Sequence, residues 1–255
     1  MPGPPSPRGQ APCIIRLRPA SLPILPGLLM LLATVAFAEP LRVPPPGASV
    51  RLIGDADVRA TLSRRGMYRI EGTDFALSAP LPAGYPAPTP PGAMELKTYP
   101  SVRRAEIDSE GSAGMAMMTS FYPLYRHISS RDIPMTSPVE VDLRPGDDGD
   151  PLALPRSGQA RWTVSFLYRT PDEGALGADG RVRVVDTAPV TVVSAGLSSP
   201  FSEKVATLGL ERIQGWLAGQ PAWEVAGEPR ALAYSGPGDR PWTEVQVPVR
   251  PKGKR

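Results

Sequence analysis

Side chains that bind metals or act as strong nucleophiles are scarce in this sequence, which has one cysteine and one histidine in 255 residues. Cys13 lies in an N-terminal segment that we expect to be removed, which excludes disulfides, cysteine–metal sites and cysteine nucleophiles from the mature chain. A Ser–His–Asp triad would need His127, and no Gly-x-Ser-x-Gly elbow accompanies it. Asp147, Asp148 and Asp150 lack the glutamate that closes an EF-hand-like calcium loop. We therefore expect a non-enzymatic protein.

Net charge is also small once the N-terminus is set aside. The chain carries a formal +3, and Arg8, Arg16 and Arg18 are its only charged residues before Glu39. Removing these three from 28 basic residues leaves 25 against 25 acidic ones. Nucleic-acid-binding domains normally show a basic stripe, and none is visible, so we expect no nucleic-acid partner. Residues 252–255 form a short basic tail.

The longest apolar run, residues 24–37, is too short to span a membrane comfortably. It follows the three arginines and ends in Ala36-Phe37-Ala38, a small-x-small cleavage pattern. Residues 1–38 are therefore predicted to be a signal peptide that leaves no stable membrane span after cleavage. The mature protein would be periplasmic or extracellular. An uncleaved anchor or an organellar transit peptide is the alternative.

Proline is abundant, with 34 residues, but it is concentrated near the N-terminus. Residues 39–47 and 80–92 are proline-rich, and proline cannot donate a hydrogen bond within a central strand. Residues 49–78 contain short strand-like segments of ambiguous type. We therefore assign residues 39–93 to a spacer with a short N-terminal extension, and residues 94–251 to the main domain.

The main domain begins with a strand interrupted at Pro100 and continues with a helical pattern. Phe121, Leu124, Tyr125 and Ile128 are spaced i, i+3, i+4 and i+7, which predicts an amphipathic helix with these residues inward. Its N-cap is predicted at position 119 or 120, with a proline in the first turn. Alternatively the helix begins near position 113.

The second half of the domain repeats this order of elements. Each half shows a strand, a proline, a strand, a helix, a strand and then a strand that opens with Trp-Thr, at Trp162 and at Trp242. The pattern indicates an internal duplication of α+β class. Two such halves would form a curved antiparallel sheet that carries two helices.

Several short motifs carry a family resemblance. The segment Met135-Thr136-Ser137-Pro138-Val139 follows the first helical pattern, and the opening strand reads Glu95-Leu96-Lys97-Thr98-Tyr99-Pro100. Residues 94–248 thereby resemble the SOUL haem-binding domains. Ser137 replaces the usual alanine of the Met-Thr-Ala-Pro-Val motif, and residues 39–92 have no recognised counterpart in that family.

The resemblance implies a distorted antiparallel β-barrel made of two ferredoxin-like repeats of βαβ type, flanked by two main helices. It also implies haem or another tetrapyrrole as ligand, in an apolar groove near the first helix. We expect this groove to be lined by helix residues and adjoining strands, with the following cofactor-binding candidates: His127, Phe121, Leu124, Tyr125, Ile128, Met117, Met118 and Arg131.

Two of these candidates could contact haem through polar groups. Neutral imidazole is a common axial ligand of haem iron, so His127 is the metal-binding candidate. It lies roughly 110° from the centre of the apolar stripe at about 100° per residue, which favours an ordinary half-exposed histidine over an iron ligand. Arg131 or Arg126 could pair with a haem propionate, or remain a solvated surface arginine.

The remaining candidates are apolar or aromatic. Met117 and Met118 could form a soft wall against a flat ligand or fill gaps in the core. The tyrosines of the helix could stack on a porphyrin or pack in the core. The Met135–Val139 motif suits an architectural role, because proline fixes the chain and hydroxyls satisfy loose backbone groups.

The sequence thus predicts an exported protein that binds, sequesters or carries haem or a related tetrapyrrole. One alternative is a binder of another flat hydrophobic molecule without iron ligation. Another is an envelope structural or interaction domain that has lost ligand binding.

Overall fold

The computed structural model describes residues 41–144, 152–154, 160–236 and 238–253, together with Met1 and Gly3. The predicted signal peptide apart from Met1 and Gly3, the aspartates at positions 147, 148 and 150, and the last two residues of the basic tail lie outside these ranges. From Leu41 onward the chain forms one compact unit. None of the helices in the described ranges is both long and apolar enough to cross a membrane.

Two helices and thirteen strands make up the described chain. In chain order they are β1 (Ser49–Ile53), β2 (Ala60–Leu62), β3 (Tyr68–Ile70), β4 (Met94–Tyr99), β5 (Arg103–Glu110), α1 (Ala113–Ser129), β6 (Val139–Leu143), β7 (Arg161–Leu167), β8 (Gly177–Asp179), β9 (Val182–Asp186), β10 (Val190–Leu197), α2 (Glu203–Ala218), β11 (Trp223–Val225), β12 (Arg230–Ala233) and β13 (Thr243–Pro251).

The strands other than β2 and β3 form one antiparallel sheet, which confirms the α+β class. Its order is β1-β4-β10-β13-β12-β6-β7-β5-β9-β8, and β11 pairs with β13. In the predicted duplication, β4, β5, β6 and β7 correspond to β9, β10, β12 and β13. When each strand is replaced by its counterpart, the order from β4 to β9 reads the same in the opposite direction, as a duplication predicts. Within the described ranges no ladder joins β1 to β8, so closure into a barrel stays a prediction.

One face of the sheet is apolar and carries both helices. Side chains alternate across each strand, so that Leu96, Val193 and Val245 pack with α2 while Val141 and Val164 pack with α1. α2 lies so close to β13 that a Cβ added at Gly209 would be only 2.3 Å from the Val245 Cβ. This helix-bearing face contains the main core of the domain.

Helix α1 begins earlier than the capping signals at positions 119 and 120 suggest. The Ser112 side chain accepts a hydrogen bond from the Met115 amide, and Pro123 lies inside the helix. The predicted inward stripe is only half correct, because Leu124 and Ile128 are buried whereas Phe121 and Tyr125 are exposed.

The physical reason is the row of small residues on the inward side of α1. Ala113, Ala116 and Ser120 are fully or almost fully buried, and small side chains let a helix backbone approach the sheet closely. This rotates the helix about its axis, so that the large aromatic residues lie at the edge of the contact and not at its centre.

The proline-rich segment that the sequence analysis treats as a spacer packs on the opposite face of the sheet. We call residues 77–93 the strap. Leu81, Tyr85 and Thr89 are all buried, and a Cβ at position 196 of β10 would lie 2.2 Å from the Pro90 carbonyl oxygen. Prolines cannot extend the sheet, but their rings and carbonyl groups pack on it. Strand β1 also pairs with β4 at the sheet edge.

Candidate functional site

A groove of about 900 Å³ is lined by residues of both α1 and the strap. It lies between α1, the loop before α2, and the ends of β6, β12 and β13. Its lining residues are Ser78, Ala79, Gly114, Met117, Met118, Phe121, Tyr122, Met135, Thr136, Ser137, Val139, Pro200, Phe201, Ala233, Tyr234, Ser235, Gly236, Gly238, Asp239, Pro241, Trp242 and Thr243. Most of these are apolar or aromatic, which is typical of a site for a hydrophobic small molecule.

Helix α1 forms one wall of the groove. Met117, Phe121 and the adjoining Met118 and Tyr122 face it, because residues three and four apart share a side of a helix. The Phe121 ring meets Phe166 edge-on, with ring centroids 5.0 Å apart. Met118 and Tyr122 are 66% and 68% exposed, so this wall presents unusually exposed apolar surface.

The opposite wall is aromatic and held from behind. The Trp242 indole donates a hydrogen bond of 2.8 Å to the Thr89 carbonyl oxygen of the strap. The Tyr234 hydroxyl donates a 2.9 Å bond to the Glu244 carboxylate. Burial, together with Glu244, raises the pKa of Tyr234 well above its usual value, so that its hydroxyl stays protonated. Both rings are therefore fixed, and both residues are almost fully buried.

The Met135–Val139 motif lies at the floor of the groove and has an architectural role. The Thr136 hydroxyl donates to the Leu167 carbonyl oxygen, and the Ser137 hydroxyl donates to the Tyr234 carbonyl oxygen over 3.0 Å. The Ser137 amide donates to the Pro80 carbonyl oxygen over 2.9 Å. The motif thereby joins β7, β12 and the strap.

The groove is almost free of charge. Asp239 is the only charged residue among its described lining residues, which include no lysine, arginine or histidine. The Asp239 carboxylate accepts a 2.9 Å hydrogen bond from the Gly236 amide. A ligand anion such as a haem propionate would therefore have no cationic partner among these residues.

His127 lies elsewhere and is not half-exposed as the helical projection suggests. It is 5% exposed, and its Nδ1 is 2.7 Å from the Asp179 carboxylate while its Nε2 is 3.0 Å from the Tyr168 hydroxyl. Arg131 also binds Asp179, at 2.9 Å. Side-chain hydrogen bonds from His127 and the charge of Arg131 hold the pKa of Asp179 below its usual value.

The predicted site residues therefore separate into four places. Met117, Met118 and Phe121 line the groove. Leu124 and Ile128 belong to the core. Tyr125 is exposed outside the groove, with its ring parallel to that of Phe121 at 6.4 Å. His127 and Arg131 line a separate pocket of about 410 Å³ beside Asp179.

Haem ligated by His127 does not fit this arrangement. Both ring nitrogens of His127 are hydrogen-bonded, and the residue does not line the groove. Among the described groove residues, the usual ligand types of haem iron are represented by the methionine thioethers and tyrosine hydroxyls.

Sequence reasoning missed the wall from the second half, formed by Phe201, Tyr234 and Trp242. The available signal was the duplication, because Trp242 corresponds to Trp162 in the repeated Trp-Thr strand opening. The groove lies where the two halves meet, and this meeting could not be located from a linear pattern of repeats.

Comparisons with known proteins support the fold and leave the family open. No family model matches the chain, and no curated protein matches it. The structure of EcmrR in its complex with DNA is 12% identical with a TM-score of 0.50, covering 62% of this chain and 57% of that one. This chain thus spans less than two thirds of EcmrR, and the similarity shows a shared fold alone.

Two further structures are similar at lower scores. The C-terminal domain of EcmrR is 11% identical with a TM-score of 0.49, covering 62% of this chain and 98% of that one. An uncharacterised conserved protein from Listeria innocua is 17% identical with a TM-score of 0.45, covering 64% and 94%. Neither is described as a SOUL domain, so membership of that family stays a prediction.

Proposed function

We propose that this protein binds a flat, apolar small molecule in the groove between α1 and the Tyr234–Trp242 wall, without catalysis and without an iron ligand from the protein. The groove itself carries the proposal. It has a volume of about 900 Å³, which is within the usual range of roughly 300–1,000 Å³ for small-molecule sites.

The lining supports a flat ligand in particular. Aromatic residues stand on both sides, Phe121 and Tyr122 on α1 and Phe201 opposite, and such rings favour stacked or edge-on contacts with a planar molecule. Met117 and Met118 add polarisable side chains that adapt to ligand shape. Tetrapyrroles, the ligands that the SOUL resemblance implies, belong to this class and would be held here through ring contacts.

A dye titration tests the proposal. Nile red, an uncharged planar dye, is titrated into the chain expressed from Glu39, and its fluorescence is followed. We expect saturation near one equivalent, with displacement by hemin and by metal-free protoporphyrin IX at similar concentrations. Absence of saturable binding by all three probes would contradict the proposal.

Two tyrosines on α1 provide matched variants. Tyr122 lines the groove and Tyr125 does not, although both are exposed. Loss of one aromatic contact corresponds to about 0.5–1.5 kcal/mol, so Tyr122→Ala should weaken Nile red binding by about 2- to 12-fold. Tyr125→Ala should leave it unchanged, and equal losses in both variants would place the dye outside the groove.

Iron dependence separates this proposal from haem ligation. His127→Gln retains polar groups beside Asp179 and should leave the hemin titration unchanged. If hemin bound at least tenfold more tightly than protoporphyrin IX, and His127→Gln abolished its Soret shift, haem ligation by His127 would replace the present proposal.

We further propose that the protein acts after export, on the basis of the N-terminal sequence pattern. Expression of the full chain followed by N-terminal sequencing of the exported protein should give Glu39 as the first residue. Retention of residues 1–38 would instead favour an anchor.

A further inference from the structure

A second pocket, of about 660 Å³, is separate from the groove and shares no lining residue with it. It is formed where β5 ends, where β7 begins and where the β8–β9 hairpin turns. Its lining residues are Asp108, Ser109, Glu110, Arg144, Arg161, Trp162, Arg181 and Arg183. Four of these eight residues are arginines.

Two of the arginines are held in place by the protein. Asp108 lies 3.0 Å from Arg183 and 3.6 Å from Arg144, and Arg183 also binds Glu106 at 2.7 Å. Burial alone would raise the pKa of Asp108, but the Thr163 hydroxyl and the two arginines lower it overall. Asp108 therefore stays ionised and fixes these two guanidinium groups at the pocket.

The other two arginines are not neutralised in this way. Within the described ranges, neither Arg161 nor Arg181 makes a side-chain hydrogen bond or an ion pair, although Glu110 lies opposite Arg161 in the β5–β7 register. Arg181 follows Gly180, whose φ of 61° turns the hairpin. Both side chains are exposed. The lining thus carries four positive and two negative charges.

A concave site with two excess positive charges attracts anions. Guanidinium groups are always charged and present planar pairs of donors that match the oxygens of phosphate or carboxylate groups. The backbone around Arg161 is set by pairing between β7 and β5. Since Asp108 occupies the other two arginines, Arg161 and Arg181 have donors available for a ligand.

We propose that this pocket binds a phosphate group with two or more negative charges, through Arg161 and Arg181 and with Arg144 and Arg183 behind them. The phosphate could belong to a free small molecule or to a lipid headgroup, and the same guanidinium chemistry would recognise either. This site is independent of ligand binding in the apolar groove.

Calorimetric titration with inorganic pyrophosphate tests the proposal. We expect saturable binding by the wild type, and at least a tenfold loss in the double variant Arg161→Ala/Arg181→Ala. The affinity of the double variant Arg161→Lys/Arg181→Lys for pyrophosphate should lie between these two values, because lysine keeps the charge but loses the paired donors. Both replaced side chains are exposed and make no ion pair with the described chain, so the thermal midpoint should stay unchanged.

The matched control is Arg64→Ala/Arg65→Ala, which removes the same charge from another exposed place. It should bind pyrophosphate like the wild type, and an equal loss there would overturn the proposal in favour of general charge attraction. Nile red binding should be the same in all these variants, so a failure of one site is distinguishable from a failure of the other.

Co-sedimentation with vesicles separates the two sources of phosphate. Vesicles of phosphatidylcholine with roughly one third phosphatidic acid carry a negative surface and present phosphomonoester headgroups, which can bear two negative charges. Binding to these vesicles that depends on Arg161 and Arg181, without pyrophosphate binding, would support the pocket and identify a headgroup as ligand. Pyrophosphate binding alone would support a free phosphate compound, and failure of both probes would overturn the proposal.

Discussion

The two faces of the sheet are covered by different kinds of chain and are stabilised by different interactions. Under the helices the sheet is lined by aliphatic residues such as Leu96, Val164 and Val245. Under the strap, the same strands present buried charged and polar side chains: Glu95, Lys97, Glu106, Glu140, Ser194, Arg230, Glu244 and Gln246. Alternation along each strand separates these two sets.

The charged face is stable only because its groups are paired. Lys97 is fully buried, 3.0 Å from Glu244 and 2.7 Å from the Ala87 carbonyl oxygen of the strap. Glu244 also accepts a hydrogen bond from the Thr89 amide. Burial alone would raise the pKa of Glu244, but Lys97 and these hydrogen bonds lower it overall. A proline-rich strap with few backbone donors can therefore cover a sheet if its remaining carbonyl and amide groups hydrogen-bond to the buried charged side chains.

Replacing Lys97 should produce the largest effect. Lys97→Met leaves Glu244 buried without its cation, and breaking a buried pair in this way costs about 3–5 kcal/mol. Denaturant unfolding followed by tryptophan fluorescence measures the loss. The double variant Lys97→Met/Glu244→Gln should recover part of it, whereas strictly additive losses would show that the two groups are not coupled.

On the helix-bearing face, the cavity created by Leu124→Ala should lower the free energy of unfolding slightly less than Lys97→Met does. Leu124 is fully buried between α1 and the sheet, and Leu→Ala changes in cores cost about 3 kcal/mol. The same denaturant unfolding assay measures the loss of free energy of unfolding in Leu124→Ala. Tyr125→Ala on the same helix is the control, and an equal loss there would contradict the assigned helix orientation.

Two tyrosines sharpen the comparison within the strap-covered face. The Tyr234 hydroxyl donates to Glu244, whereas the buried Tyr85 hydroxyl has no partner among the described residues. Tyr234→Phe should therefore cost about 1–3 kcal/mol. Tyr85→Phe should be neutral or stabilising in the same unfolding assay, and a loss as large as that of Tyr234→Phe would reveal a missing partner.

The smallest expected effect is the pH dependence of the free energy of unfolding that Asp142 contributes. Burial and the neighbouring Glu140 raise the pKa of Asp142 to about 6, above the value of about 3.9 for an unfolded aspartate. The native state thus binds the proton first, so this group stabilises the fold increasingly as pH falls from 7 to 5. Compared with Asp142→Asn, the wild type should gain about 1 kcal/mol over this interval, and an identical pH dependence would contradict the raised pKa.

Much of the architecture could be predicted from the sequence. The helical spacing of residues 121–128 is a local signal, and the repeated order of elements indicates two equivalent halves. The start of α1 was harder to predict, because Ser112, Thr119 and Ser120 are all suitable N-caps. Only packing against β5 and β7 favours the longest helix.

The candidate site was predicted in part. Met117, Met118 and Phe121 line the groove, but the same periodicity placed Tyr125 inward and His127 on a half-exposed flank. Helical periodicity specifies which residues share a side, yet it does not specify how closely each side approaches the sheet. The small residues Ala116 and Ser120 decide this, and their effect appears only when the sheet is present.

The sequence by itself determined the class of elements, their order and their duplication, because these depend on hydrophobic spacing within short segments. Tertiary structure decided three other features: the strap over the charged face, the groove between the two halves, and the cluster of Arg144, Arg161, Arg181 and Arg183. Each of these joins residues far apart in the chain, and local patterns carry no information about which distant strands become neighbours. The strap shows this most clearly, since proline excludes a segment from the ladders of a sheet without excluding it from packing against the sheet surface.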